Sequence, residues 1–230
     1  MLIIIDKKIP TQAKLKLQTY GELLELDTSG ITYDAISGHP DIFFCQILDN
    51  SLIVAPNLPD KYYNTLSKHN ITFVKGEKSV GLKYPFTAHY NAVVTNKYLI
   101  HNLNHTDKSI PDYANHLTHI NTKQAYTRCN LLNLGGDSFI TSDEGIYRTL
   151  VSLKINVLYV SPEGIELPGF NHGFIGGACG VYKDSVFIIG SLNYHKQGDK
   201  IRGFIKEAGF KLIELYEGNL FDGGSLLFVE

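Results

Sequence analysis

Apolar residues in this chain gather in short unbroken runs that stop at turn-forming residues. Ser51-Leu-Ile-Val-Ala-Pro-Asn57, Tyr98-Leu-Ile-His-Asn102, Ser138-Phe-Ile-Thr-Ser-Asp143 and Ser185-Val-Phe-Ile-Ile-Gly190 have this form. Such runs read as strands buried on both faces. Each follows another strand-like run: Cys45 to Leu48, Asn91 to Val94, Cys129 to Leu132 and Cys179 to Tyr182. Polar pairs such as Asp49-Asn50, Asn96-Lys97 and Lys183-Asp184 separate the two runs and predict hairpins. A stretch with helical spacing comes next, over Asp60 to Lys68, Ile110 to His119, Asp143 to Leu153 and Gly198 to Ala208. A third strand closes each set: Ile71 to Val74, Leu117 to Ile120, Ile155 to Val160 and Phe210 to Leu215.

Four units of strand, strand, helix, strand thus recur with a period of roughly 40–48 residues. The two ends of the chain supply a fifth in the same order. Gly224 to Glu230 reads as a first strand, Leu2 to Ile5 as a second, Thr11 to Tyr20 as a helix and Glu22 to Leu26 as a third strand. The expected fold is one α/β domain over residues 1–230. In it, a five-bladed β/α propeller of ββαβ units surrounds a pseudo-fivefold axis, closed by the terminal strands so that no edge is left open. An open α/β sheet is the competing arrangement.

Composition narrows the function classes. With 43% apolar residues in 230, the chain has material for a substantial core. Lys and Arg are scattered and the net charge is −2, so nucleic acid has no electrostatic footprint. Met1 to Asp6 is too short for the apolar region of a signal peptide, and no run is long enough for a membrane helix. The cysteines, Cys45, Cys129 and Cys179, are an odd count that argues against a disulfide framework. A soluble, cytoplasmic protein is expected, with no membrane or nucleic-acid partner.

His39-Pro-Asp41, Ile140 to Ile146, Leu167 to Gly177 and Asp222-Gly-Gly-Ser225 carry a further reading. In these segments and in its five units the sequence resembles the guanidino-group-modifying (pentein) superfamily, in an uncharacterised bacterial branch. That superfamily holds arginine deiminases, amidinotransferases and dimethylarginine hydrolases together with non-enzymatic binders. The resemblance implies a Cys nucleophile, a His acid/base and carboxylates that grip a guanidinium. It places the Cys three residues past Gly223-Gly-Ser225, where this chain has Phe228. It places the His at His172, but the Asp expected two residues on is Phe174.

In such a ring the loops before the first strands meet at one mouth of a central channel. All three cysteines fall at these entrances, at what the repeats give as one equivalent position. Cys129 is the preferred nucleophile because Arg128 adjoins it and would favour a thiolate; small apolar filling near a crowded axis is the alternative. The candidate catalytic set is His172, Cys129 and Asp41. His39, Asp41, Tyr84, Asn91, Arg128, Asn171 and Asp222 are the candidate ligand-binding residues. Asp41 and Asp222 point to a cationic ligand, against the ordinary role of Asp as a turn cap.

Two other patterns lead elsewhere. The histidines His89, His101, His105, His116 and His119 lack the Glu or Cys that completes a zinc signature. Gly173 to Gly180 lacks the Lys and following helix of a phosphate cradle and reads as a close-packed loop. No metal or cofactor is expected. The chain is either a rearranged hydrolase or transferase acting on a small guanidino-, amine- or amide-bearing molecule, or a non-catalytic binder with a small-molecule or macromolecular partner.

Overall fold

A computed structural model describes residues 1–47 and 51–230. The end of the expected strand at Leu48 and the Asp49-Asn50 turn lie outside the described residues.

The architecture is mixed α/β, and among the described residues five three-stranded sheets share one wiring. In each, a first strand runs antiparallel to a second, and a third returns parallel to the second after a helix. One unit is Phe44–Gln46, Leu52–Val54, helix Asp60–Lys68 and Phe73–Lys75. The next is Val93–Val94, Tyr98–His101, helix Ser109–Tyr113 and Thr118–Asn121. Leu131–Asn133, Ser138–Thr141, helix Glu144–Ser152 and Asn156–Tyr159 follow. Then come Cys179–Tyr182, Ser185–Ile188, helix Gly198–Glu207 and Lys211–Glu214. Both chain ends build the remaining unit. Leu227–Val229 lies antiparallel to Leu2–Asp6, with Leu2 opposite Val229 and Ile4 opposite Leu227. Leu2–Asp6 in turn runs parallel to Glu22–Leu26, after helix Thr11–Leu17.

The unbroken apolar runs are the second strands. Each sits in the middle of its sheet, so every residue of Leu2–Asp6, Leu52–Val54 and Ser185–Ile188 is buried. Third strands have a solvated side and alternate, as the Glu22–Leu26 pattern shows. Asp143 caps its helix as expected, accepting the Ile146 amide at 2.7 Å.

Three departures have local causes. The helix expected from Ile110 to His119 is confined to Ser109–Tyr113, because Ile110 is the one buried residue in it. The strand expected from Cys129 starts only at Leu131, since Thr127–Asn130 forms a short helix and the Cys129 carbonyl accepts from Gly177 of the next unit. The cysteines therefore do not share one register. Cys179 lies opposite Ile188, at the sheet position of Leu131 opposite Thr141, two residues beyond Cys129. Cys45 is offset by one, opposite Ile53. An additional two-stranded parallel sheet, Ile165–Glu166 with Leu220–Phe221, was not foreseen. Among the described residues no helix is long and apolar enough to cross a membrane.

Candidate functional site

The loops that lead into the five first strands are hydrogen-bonded in a closed cycle. The Asp41 amide donates to the Gly224 carbonyl (3.1 Å), and the Asn91 side-chain amide donates to the Asp41 carbonyl (3.1 Å). The Arg128 amide donates to Asn91 (2.9 Å), Gly177 to Cys129 (2.7 Å) and Ser225 to Gly177 (2.8 Å), which returns to the start. Glycine is required where these loops touch. A Cβ on Gly177 would collide with the Asp222 carboxylate, and one on Gly224, whose φ is +68°, would collide with His39. The Gly-rich stretch before Cys179 is thus a close-packed loop.

Inside this cycle lies a buried polar cluster. Asp41 Oδ2 accepts from Cys129 Sγ (3.0 Å) and from Ser225 Oγ (2.9 Å), while its Oδ1 is buried without a partner. Asn91 clamps Cys129 from the other side: its Nδ2 donates to Sγ (3.0 Å) and its Oδ1 accepts the Cys129 amide (3.1 Å). Asp222 is fixed by the extra sheet. Its own amide donates to the Glu166 carbonyl (2.8 Å), and its carboxylate accepts the amides of Phe174 (2.9 Å) and Gly224 (3.0 Å). His39 stands between Asp222 (Nδ1 to Oδ1, 4.0 Å) and Asp6 (Nε2 to Oδ2, 3.8 Å), and neither contact is a hydrogen bond.

Burial governs the charges. It pushes Asp222 up to about 8, helped by the nearby Asp41 carboxylate, and raises Asp6 to about 6. Asp41 is also raised by burial, against its hydrogen bonds and the Arg128 charge. His39 is lowered to about 3, so at neutral pH it is neutral and its approach to Asp222 is no ion pair. The Cys129 thiol is held well above its usual range by burial and then by Asp41 and Asp222. Desolvation and the two carboxylates thus favour the protonated thiol, opposite to the effect expected of Arg128.

A cavity of about 280 Å³ opens over this cluster. His39, Cys129, Asn171, His172 and Asp222 are in its wall, together with the rings of Tyr33, Tyr126, Phe170 and Phe174. Asp41 and Asn91 lie behind Cys129. Tyr84 is half exposed, one ring further out, 5.9 Å from Tyr126. Arg128 does not join them. It lines a separate cavity, so adjacent residues of one short helix serve two spaces. Sequence reasoning missed Ser225 and Asp6 as members of the cluster, although Ser225 ends the Gly-Gly-Ser segment; its φ of +74° aims it at Asp41. Phe228 packs inward on Phe187 (4.7 Å) and Tyr182 (5.5 Å). Of the histidines in the second unit, His101 is consumed by the core: its nitrogens meet Thr106 Oγ1 and the Ala125 carbonyl, both at 2.7 Å.

Comparisons place these features in context. The sequence profile of one family of unknown function matches residues 4–227. No curated protein matches the sequence. The fold is similar to that of an amidinotransferase of the saxitoxin biosynthetic pathway from Microseira wollei, at 12% identity and a TM-score of 0.54, covering 100% of this chain and 94% of that one. A dimethylarginine dimethylaminohydrolase (DDAH) from Pseudomonas aeruginosa, a mutant complexed with citrulline, aligns over 88% of this chain and 79% of its own at 10% identity and a TM-score of 0.54. Another dimethylarginine dimethylaminohydrolase, an adduct with a chlorinated hydroxymethylpyridine, aligns over 93% and 91% at 9% identity and a TM-score of 0.56. At such identities the likeness shows the fold alone, a mixed α/β fold shared with these amidinotransferase and dimethylaminohydrolase structures.

Proposed function

The chain belongs to that family of unknown function, DUF6873, and from this premise we propose that its 280 Å³ cavity takes a small organic cation bearing a guanidino or amine group. The observation that carries the reading is the Asp41–Cys129 contact of 3.0 Å in the floor of an aromatic-walled cavity. Buried carboxylates with unfilled acceptor capacity favour a cation, and aromatic faces add to its binding. The five hydrogen-bonded entrance loops support the finer architecture of this reading, a closed five-bladed ring forming one domain. The three unpaired thiols accord with a reducing compartment, and a cytoplasmic location is part of the proposal.

Chemistry follows from the same contact. A cation beside Sγ favours the thiolate, and Asp41, already the acceptor of the S–H, takes its proton. Cys129 then attacks the electron-poor carbon of the ligand, and His172 in the cavity wall protonates the leaving amine. A second reading, a non-catalytic binder, is favoured by two observations: the free thiol is held protonated, and Phe228, at the position the resemblance gives the nucleophile, is packed in the core.

Intact-mass spectrometry after incubation with guanidino, amidine and amine compounds, beside a binding titration, tests both. The catalytic reading expects a covalent adduct at Cys129 that Cys129→Ser abolishes. Binding without adduct or product leaves the binder. Absence of binding by every cation removes both.

A further inference from the structure

The second cavity, of about 320 Å³, is bounded by residues from all five units, among them Gln46, Val93, Asn133, Val181 and Leu227. The charged residues in its wall are Arg128 and Lys183, and no carboxylate among the described residues lines it. Among the described residues no ion pair within 4.0 Å involves Arg128. Its Nη1 reaches the Gly176 carbonyl only at 3.5 Å, the limit of a hydrogen bond, and among the described residues its other N–H groups have no side-chain or backbone acceptor. The opposing charge that acts most strongly on it is Asp41, whose Oδ2 is already taken by Cys129 and Ser225. Lys183 is largely exposed at the other end, with Nζ 4.8 Å from the Tyr182 ring and 3.9 Å from Glu230 Oε1.

A guanidinium removed from water and left with open donors is stabilised by an oxyanion that its planar fork can hold at two points. We infer that this cavity is a second ligand site, for a small organic oxyanion held by Arg128 at the inner end and Lys183 at the rim. The apolar walls at Val93, Val181 and Leu227 fit the body of a carboxylate or phosphate monoester, and the acidic groups of the other cavity are absent here. The proposal does not depend on the function assigned to the Cys129 cavity.

Calorimetric titration of the full chain in low-chloride buffer with inorganic phosphate, and separately with acetate, tests it. One saturable site is expected for at least one anion; tighter phosphate assigns phosphate esters, tighter acetate carboxylates. Arg128→Met should weaken binding by about tenfold or more and Lys183→Gln by a few-fold, as expected for lost charge-assisted hydrogen bonds. Lys196→Gln, an exposed lysine elsewhere, should change nothing. If Arg128→Met fails to fold by circular dichroism, Arg128→Lys replaces it, keeping the charge but losing the fork, and should still bind several-fold more weakly. No saturable binding of either anion overturns the inference. So does wild-type affinity in both Lys183→Gln and the folded Arg128 variant.

Discussion

A carboxylate buried without a counter-ion keeps its proton to higher pH than it does in water. Asp222, raised from 3.8 to about 8, therefore binds more protons in the folded chain than in the unfolded one between those values. Stability falls with rising pH wherever the folded state binds more protons, so Asp222 destabilises progressively from about pH 4 to 8. His39, lowered from 6.5 to about 3, has the opposite slope, but only below about 6.5. Above that pH the fall from Asp222 is no longer opposed by His39. Melting temperatures should decline from pH 6.5 to 8, and Asp222→Asn should flatten that decline; an unchanged slope in the variant would place the titration elsewhere. Asp41 belongs to the same scale. Asp41→Asn removes a charge that acts from behind Cys129, so it should weaken binding of a cation such as methylguanidinium by less than the roughly 1.5–3 kcal/mol of a direct hydrogen bond to a charged group, with the far-ultraviolet spectrum unchanged.

Elements were legible where one local signal fixed them. The helix Glu144–Ser152 was announced by Asp143 and by apolar spacing, and its cap is present at 2.7 Å. Asp143→Ala should accordingly cost about 1 kcal/mol in chemical denaturation. Second strands were legible because burial on both sides leaves an apolar run at the centre of each, as in Leu52–Val54. The start of the Leu131–Asn133 strand was not, because a hydrogen bond from Gly177 in the next unit, far away in sequence, holds the Cys129 carbonyl. The extra sheet of Ile165–Glu166 and Leu220–Phe221 was hidden for the same reason: its pairing is long-range and two residues deep. That sheet seats Asp222 against Gly177. Gly177→Ala puts a methyl group on the carboxylate, and the resulting overpacking should cost about 1–3 kcal/mol, measurable as a lower denaturation midpoint.

At the scale of the whole molecule, the repeat foretold that the chain ends would share a sheet, and Leu2–Asp6 does pair with Leu227–Val229. The candidate site was half legible. Entrance-loop position alone brought His39, Cys129, Asn171, His172 and Asp222 to one cavity. It could not assign Arg128, which lies on the same helix but lines the other cavity, nor Ser225, whose role depends on a left-handed backbone that no composition rule reveals. On the function proposed above, the parts form an enclosure in which Asp222 keeps its proton until a bound cation replaces it. Calorimetry with methylguanidinium at pH 7, in two buffers of different ionisation enthalpy, reads this linkage directly. Saturable binding accompanied by proton release is the expected result, because a bound cation restores Asp222, about 8 in the free chain, to its charged form. Binding with no proton released, or no binding at all, would contradict it.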